Sequence, residues 1–381
     1  MRPIVILGSG LAGVSLAREL RKLDKEIPLV LVTADDGAFY SKPNLSNALG
    51  AGKSPAQLAL TPAPQLAEQL HARILAHTTV SAIHAVQRRI DTSGGPLEYS
   101  KLVLAIGAQP IRPALDGDAA ADVLTVNSLA DYTRFRERLA GKRRIAILGG
   151  GLIGCEFAND LCLGGFAATI FDRAKQPLGR LLPPQAGQFL RARLEQGGVT
   201  YHPETSLIRV ERHNGGYHLS DDHGAEHQAD LVLSAVGLQP AVELARTAGL
   251  TVRRGIVVGR GLASSDPHIY ALGDCAEIGG LVLSYVLPIM QAARALAQTL
   301  AGTPVEVSYP AMPVVVKTPA CPTVVCPPPA AATGIWHEES GSAGVRSIFA
   351  DDTGKALGFA LLGEETTKEK VTLAGQMPGW L

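Results

Sequence analysis

The sequence predicts an α/β chain built from two strand–turn–helix units and a small α+β domain at its C-terminal end. Three observations predict it. Residues 4–7 are Ile-Val-Ile-Leu and run into Gly8-Ser9-Gly10-Leu11-Ala12-Gly13, after which Leu16, Leu20 and Leu23 fall on one helix face. The same order recurs at residues 145–148, Ile-Ala-Ile-Leu, followed by Gly149-Gly150-Gly151-Leu152-Ile153-Gly154 and a helix face of Ile153, Phe157 and Leu161. From Thr303-Pro304 the texture changes to short β-branched runs broken by prolines. A short apolar strand opening through G-x-G-x-x-G onto a helix is the Rossmann-like dinucleotide-binding pattern. One copy carries little weight in a chain with 41 glycines. Two copies, each between a strand and a helix, imply two dinucleotides or one held twice.

The first unit follows from residue type. Gly8 permits the tight turn, Gly10 lets a pyrophosphate approach the backbone, and Gly13 lets the helix lie close on the strand. The helix start at Leu11 and Ala12 offers free N–H groups and a positive dipole end. Residues 29–32 read as the second strand, followed by Thr33-Ala34-Asp35-Asp36. An acid closing that strand would bind the adenosine ribose hydroxyls; Asp35 comes first, with Asp36 or a solvated turn as alternatives. Lys42, fixed before Pro43 just beyond this site, could reach a phosphate or a bound ring, or be a surface lysine. Residues 50–64 read as a connecting segment, and His71 and His77 as surface residues without metal-like spacing. A strand at 101–105 ends in Ala105-Ile106-Gly107, and Pro110 and Pro113 mark where the chain leaves the first domain.

The second unit repeats the logic. Residues 134–138 read as a polar helix, and Lys142-Arg143-Arg144 as a solvated lead-in or part of a docking face for an acidic partner. A strand at 168–171 ends in Asp172, 23 residues after Gly149. A carboxylate there accepts from a ribose 2′-hydroxyl and repels a 2′-phosphate, which favours NADH; the adjacent Arg173 could accept that phosphate. Glu156 reads either as an acid favoured by the helix dipole in the first turn or as a carboxylate projecting between the two nucleotides. A strand at 231–236 closes on Gly237. Another leads to Gly273-Asp274, where an acid can accept from a ligand hydroxyl, with a helix over 288–300. In the C-terminal domain, strands are expected at 312–317, 323–325, 345–349 and 357–361. Pro319, Pro322 and Pro327-Pro328-Pro329 confine the second to an edge or a short element. The tail from Thr366 is weakly helical.

Composition bounds the rest. At 381 residues the chain holds two or three domains. With 35 acidic and 35 basic residues, no nucleic-acid partner is expected. The first strand begins too early for a signal peptide, and no apolar run approaches the ~18–20 residues of a membrane span. A soluble cytoplasmic protein is expected. No metal site is expected.

The ordered set now extends beyond the two turns: Gly8-x-Gly10-x-x-Gly13, the run 102–107, Gly149 through Glu156, Ser234-Ala235-Val236-Gly237, and Gly273-Asp274. It resembles the two-dinucleotide-binding-domain flavoproteins, the family of glutathione reductase, NADH oxidase and the ferredoxin reductases. The resemblance covers the whole chain. It implies a glutathione reductase-like fold, with a discontinuous FAD-binding domain at 1–113 and 237–304. An NADH-binding domain at 114–236 and a C-terminal domain at 305–381 covering the flavin complete it. It further implies that the first glycine motif holds the FAD pyrophosphate, Asp274 the ribityl chain, and Gly149, Gly151, Leu152, Ile153 and Gly154 the NADH, with Ala105, Gly107, Gly237 and Gly273 lining the cofactors. Five segments most resemble the rubredoxin-reducing branch: residues 33–37, 40–43, 154–160, 292–302 and 316–322. By that resemblance Lys42, Pro43, Glu156 and Lys317 lie near the flavin ring, with Lys317 reaching in from the C-terminal domain.

The cysteines shape the expected chemistry. There are five, an odd number in a long chain, so a disulfide framework is not expected. Cys321 and Cys326 have the spacing of the glutathione reductase redox disulfide, but a strand between them puts them on opposite faces, as inert thiols. Cys155 and Cys162 read as core residues. No cysteine lies on the first helix, in the loop after it or directly after Pro43, so no disulfide or thiol is placed to relay electrons. The resemblance then implies hydride transfer from NADH to FAD and direct release of single electrons to an acceptor such as rubredoxin. Lys42 and Glu156 are the catalytic candidates, since a positive charge stabilises anionic reduced flavin. A ferredoxin-type reductase, an NADH oxidase, and a dinucleotide-binding regulator without turnover are the alternatives. Ala105-Ile106-Gly107 replaces the family's Ala-Thr-Gly and loses one hydroxyl.

Overall fold

Two parallel sheets frame the molecule, and each grows from one glycine motif. The computed structural model describes residues 2–381. The first sheet orders its strands Ile269–Ala271, Lys101–Leu104, Ile4–Leu7, Leu29–Val32 and Arg73–Leu75, all parallel. The second runs Thr200–His202, Ala167–Phe171, Arg144–Leu148 and Leu231–Ser234, also parallel. In both, the chain moves first to one side of the central strand and later returns on the other. A crevice therefore opens at the carboxyl ends of the central strand and its late neighbour, the binding position of open α/β sheets.

Strand Arg144–Leu148 shows why these runs are apolar throughout. Ile145 and Ile147 join one core with the helices Leu152–Leu163 and Pro184–Gln196. Ala146 and Leu148 face the other way, into a core closed by the antiparallel meander Leu207–His213, Gly216–Asp221 and Glu226–Ala229. With both faces covered, no polar side is left to alternate with. Helix Leu11–Leu23 buries Val14, Leu16, Ala17 and Leu20 and packs on helix Val286–Leu300. Leu23, expected on that face, is exposed at the helix end.

Strands Ala108–Pro110 and Leu238–Pro240 pair antiparallel, so the chain passes out of the first sheet region and back through one two-stranded bridge. The C-terminal segment forms an antiparallel sheet ordered Val314–Val316, Thr323–Cys326, Ala356–Leu362, Val345–Ala350 and Ile335–Ser340. Val325, Ala360 and Leu362 join the core of the second unit's helices, whereas Val324, Cys326, Phe359 and Leu361 gather with Leu373 and Met377.

Several expectations are corrected. Of the two alternatives for Thr323–Cys326, the short element holds and the edge does not, because its prolines flank it and leave its own N–H groups free to pair on both sides. Strand Ile335–Ser340 was not anticipated; it is a polar edge strand carrying Glu338 and Glu339, as exposed edges favour. The helix expected from Pro288 starts at Val286, and Pro288 falls in its first turn, where a missing N–H costs nothing. The connecting segment 50–64 carries short elements of its own: Pro55–Leu58 forms a 3₁₀ turn and Ala59–Thr61 a strand against Phe39–Tyr40. Cys155 is buried but Cys162 only partly so. Cys321 and Cys326 belong to different cores, and burial pushes both thiols up, Cys326 to about 11. Among the described residues no helix is long and apolar enough to cross a membrane.

Candidate functional site

The glycines of the two turns fall into matched pairs. Gly8 has φ +111°, and a Cβ there would sit 2.3 Å from the Ala105 carbonyl oxygen; Gly149 has φ +99°, with the Ala235 oxygen at 2.7 Å. A Cβ on Gly13 would meet the Gly8 oxygen at 2.0 Å, and one on Gly154 the Gly149 oxygen at 1.9 Å. The protein itself demands these four. Gly10 and Gly151 differ. Their φ values, −71° and −74°, suit any residue, and a Cβ would meet no atom within 4 Å. Each caps a helix whose first N–H groups, at Leu11-Ala12 and Leu152-Ile153, have no intrahelical partner. The folded chain does not demand glycine at 10 and 151, and each leaves a bare helix start of the kind that can hold a pyrophosphate.

The acids that close the second strands are both held. Asp35 Oδ1 accepts from the Thr33 hydroxyl at 2.5 Å and the Gly37 N–H at 3.1 Å, with the Ser9 hydroxyl at 3.2 Å. Asp36 turns away to accept from the Ala38 N–H. Asp172 Oδ2 accepts from the Tyr201 hydroxyl at 2.8 Å, and its Oδ1 from the Ala174 N–H at 3.2 Å. Arg173 is exposed.

A third group forms between the units. Glu156, 6% exposed, accepts at Oε1 from the Lys317 backbone N–H at 2.9 Å. Its Oε2 accepts from the Ser46 hydroxyl and lies 3.4 Å from Lys317 Nζ, which also donates to the Pro43 carbonyl. Pro43 is the second residue of the 3₁₀ turn Lys42–Asn47. Lys42, Pro43, Glu156 and Lys317 thus come from one neighbourhood, but the lysine on Glu156 is Lys317, not Lys42. Glu156 is also one turn inside its helix, so the first-turn dipole reading does not apply. Lys42 Nζ donates to Asn127 Oδ1 at 3.2 Å, and Asn127 is fixed by the Ala108 carbonyl at 2.8 Å. Burial pulls the Lys42 pKa down against the opposing charge of Asp274; burial likewise pushes Asp274 up against Lys42. Gly273, at φ +79°, places its Cβ position 2.8 Å from Ala12 Cβ, which brings Asp274 to the first helix start. Gly107 and Gly237, at φ +70° and +125°, flank the two-stranded bridge.

Sequence reasoning missed the partners. Asn159 Oδ1 accepts from the Ala320 N–H at 3.0 Å, and Asp160 accepts from the N–H groups of Leu49 and Gly50 at 3.0 and 2.8 Å. Glu156, Asn159 and Asp160 stand at i, i+3 and i+4 of an otherwise apolar helix, a stripe that was legible as a binding face. Ser9, Ser46, Asn127 and Tyr201 carried no sequence signal, because each acts across a distance in the chain.

A pyridine nucleotide-disulphide oxidoreductase family profile matches residues 2–299, and a rubredoxin binding C-terminal domain profile matches residues 306–377. A rubredoxin-NAD(+) reductase of Alcanivorax borkumensis is 46% identical over 379 residues, 99% of each chain. One of Acinetobacter baylyi is 46% identical over 386 residues, 99% of this chain and 98% of its own. Among solved structures, a ferredoxin reductase of Rhodopseudomonas palustris superposes with a TM-score of 0.89 at 24% identity, covering 99% of this chain and 96% of its own, a likeness of fold. With paired glycine turns, an interposed second nucleotide unit and these matches, the chain belongs to the pyridine nucleotide-disulphide oxidoreductase family.

Proposed function

We propose that the chain is an FAD-dependent reductase that takes hydride from NADH and passes single electrons to rubredoxin. The observation that carries this reading is the C-terminal segment: matched as rubredoxin-binding over residues 306–377, it delivers Lys317 onto Glu156 and Pro43. Residues 1–113 and 237–304 would hold FAD, residues 114–236 NADH, and residues 305–381 would cover the flavin. FAD, when bound, accepts electrons as a pair and releases them singly. Gly8, Gly10 and Gly13, with the N–H groups of Leu11 and Ala12, hold its pyrophosphate; Asp35 its ribose; Asp274 its ribityl chain; Ala105, Gly107, Gly237 and Gly273 shape its walls. Gly149, Gly151 and Gly154 with Leu152 and Ile153 hold NADH, and Asp172 its ribose. Lys42 supplies positive charge beside Asp274, and Pro43 and Lys317 close the ring side, with Glu156 setting the Lys317 position. The protein's share is positioning and electrostatics. The five cysteines, free and mostly buried, support direct transfer without a thiol relay and a reducing compartment, the cytoplasm.

The test is anaerobic stopped flow. The purified protein is reduced with one equivalent of NADH and mixed with oxidised rubredoxin or with oxygenated buffer. Fast bleaching of rubredoxin with slow reoxidation by oxygen is expected. Fast reoxidation by oxygen with inert rubredoxin would make the protein an oxidase and overturn the reading.

A further inference from the structure

We propose that Tyr201 is a positioning residue for the second nucleotide site: its hydroxyl fixes the carboxylate of Asp172 so that the site selects an adenosine ribose bearing a free 2′-hydroxyl. This rests on the reading of Asp172 as the ribose acid.

The two units solve one problem differently. In the first, two hydroxyls reach the strand-end acid from the unit's own strand end and turn: Thr33, two residues before Asp35, and Ser9, the middle residue of the glycine turn. In the second, the middle residue is Gly150, which offers no hydroxyl. Among the described residues its local donor is the Ala174 N–H at 3.2 Å. The missing hydroxyl comes from the neighbouring strand Thr200–His202, where Tyr201 pairs in register with Ile170 and reaches Asp172 Oδ2 at 2.8 Å. Gly150 makes this possible. Its φ is not left-handed, so the backbone does not require glycine, yet a Cβ would lie 2.4 Å from Asp172 Oδ2 and 3.0 Å from the Tyr201 hydroxyl. The ring is 4% exposed, with the Arg191 guanidinium 5.4 Å over its face. Burial, and then the charge of Asp172, push the phenol well above its ordinary pKa, so it remains a donor at any working pH.

Orientation is what the phenol contributes. The terminal torsion of an aspartate is broad, so an untethered carboxylate samples many settings. Accepting from a ribose hydroxyl needs an oxygen in one place, whereas repelling a 2′-phosphate needs only charge. Losing the tether therefore weakens the first and spares the second.

The experiment is calorimetric titration of the FAD-loaded protein with ADP-ribose and with 2′-phospho-ADP-ribose. Tyr201→Phe is expected to weaken ADP-ribose by roughly three- to tenfold, the net worth of one ordinary hydrogen bond, and to leave the phosphorylated ligand within about twofold. Gly150→Ala, acting from the other side of the carboxylate, should give the same one-sided loss. Asp172→Asn should weaken ADP-ribose and tighten the phosphorylated ligand, and adding Tyr201→Phe to it should weaken ADP-ribose no further. If Asp172→Asn weakens ADP-ribose but Tyr201→Phe does not, or if Tyr201→Phe weakens both ligands equally, the role of Tyr201 is wrong. If Asp172→Asn changes neither ligand, the reading of Asp172 itself fails.

Discussion

Glu156→Gln tests how the site between the units is held. The change keeps the side chain's size and one carbonyl oxygen but removes its charge. At 3.4 Å from Lys317 Nζ, the Coulomb attraction is about 5 kcal/mol at an effective dielectric of 20. Desolvating a carboxylate that is almost wholly buried takes back several kcal/mol of that. Lys317 keeps 30% of its side-chain surface and its bond to the Pro43 carbonyl, so water and Pro43 absorb part of the loss. What remains is the charge assistance to the Lys317 N–H and Ser46 hydroxyl, for a net loss of about 1–3 kcal/mol. A global midpoint averages so local a loss over the whole chain, so a local readout resolves it better. Amide hydrogen exchange is local. The Lys317 N–H, which donates to Glu156, should exchange roughly 5- to 150-fold faster, at about 1.4 kcal/mol per tenfold. The Ala320 N–H, held by Asn159, should follow it, while strand Ala356–Leu362 stays protected. Unchanged protection at Lys317, or an equal loss across the whole C-terminal sheet, would refute the reasoning.

Lys42→Ala should lower the flavin midpoint potential by roughly 20–40 mV, the equivalent of about 1–2 kcal/mol for two electrons, and slow hydride transfer; spectroelectrochemistry and single-turnover kinetics check it, and an unchanged potential and rate would remove Lys42 from the mechanism. Gly10→Ala should leave the melting temperature of the apoprotein unchanged and weaken FAD by more than about tenfold, whereas Gly13→Ala, with a Cβ 2.0 Å from a carbonyl oxygen, should fail to give folded protein; circular dichroism and flavin titration separate the two. Asp230 accepts from the backbone N–H groups of Arg143 and Arg144 and from the Arg144 guanidinium, and these outweigh the upward push of burial to hold it at about 2 against an ordinary 3.8. With the folded pKa below the unfolded one, about 2 kcal/mol of stability is present above pH 4 and lost as pH falls toward 2. Asp230→Asn should flatten that part of the urea-midpoint profile, and an undiminished slope would show that other carboxylates carry it.

What was legible in the sequence was what sits close in the chain. The two glycine turns, their strands and helices, and the acids Asp35 and Asp172 each depend on spacings within about one supersecondary unit, where periodicity and turn chemistry speak directly. The C-terminal strands were largely legible for the same reason, apart from Ile335–Ser340, whose polar edge character erases the apolar signal. Hydrogen bonds such as Ser46 to Glu156, Lys42 to Asn127 and Tyr201 to Asp172 were not. Each joins residues tens of positions apart, and no local pattern in a single sequence records which distant hydroxyl or amide a carboxylate will meet.

Helix Leu152–Leu163 explains how loops can make a precise site here. Its first turn is left bare, with glycine at 151 and no acid before Glu156, so its N–H groups remain available to a ligand. One turn further in, Glu156, Asn159 and Asp160 reach sideways and take hydrogen bonds from Ser46, Leu49 and Gly50 on one flank and from Lys317 and Ala320 on the other. The approach is close enough to restrict residue choice. A Cβ on Gly50 would lie 2.7 Å from Leu163 Cβ, and one on Gly164 would lie 2.7 Å from the Leu49 side chain. Loops left to themselves move, and a charge displaced by an ångström no longer acts on the same atom. Here the turn that carries Lys42 and the strand end that carries Lys317 are both fastened to one helix, and that helix also starts at the second glycine turn. A perturbation of its polar stripe therefore acts on both lysines at once, although neither of them lies on it.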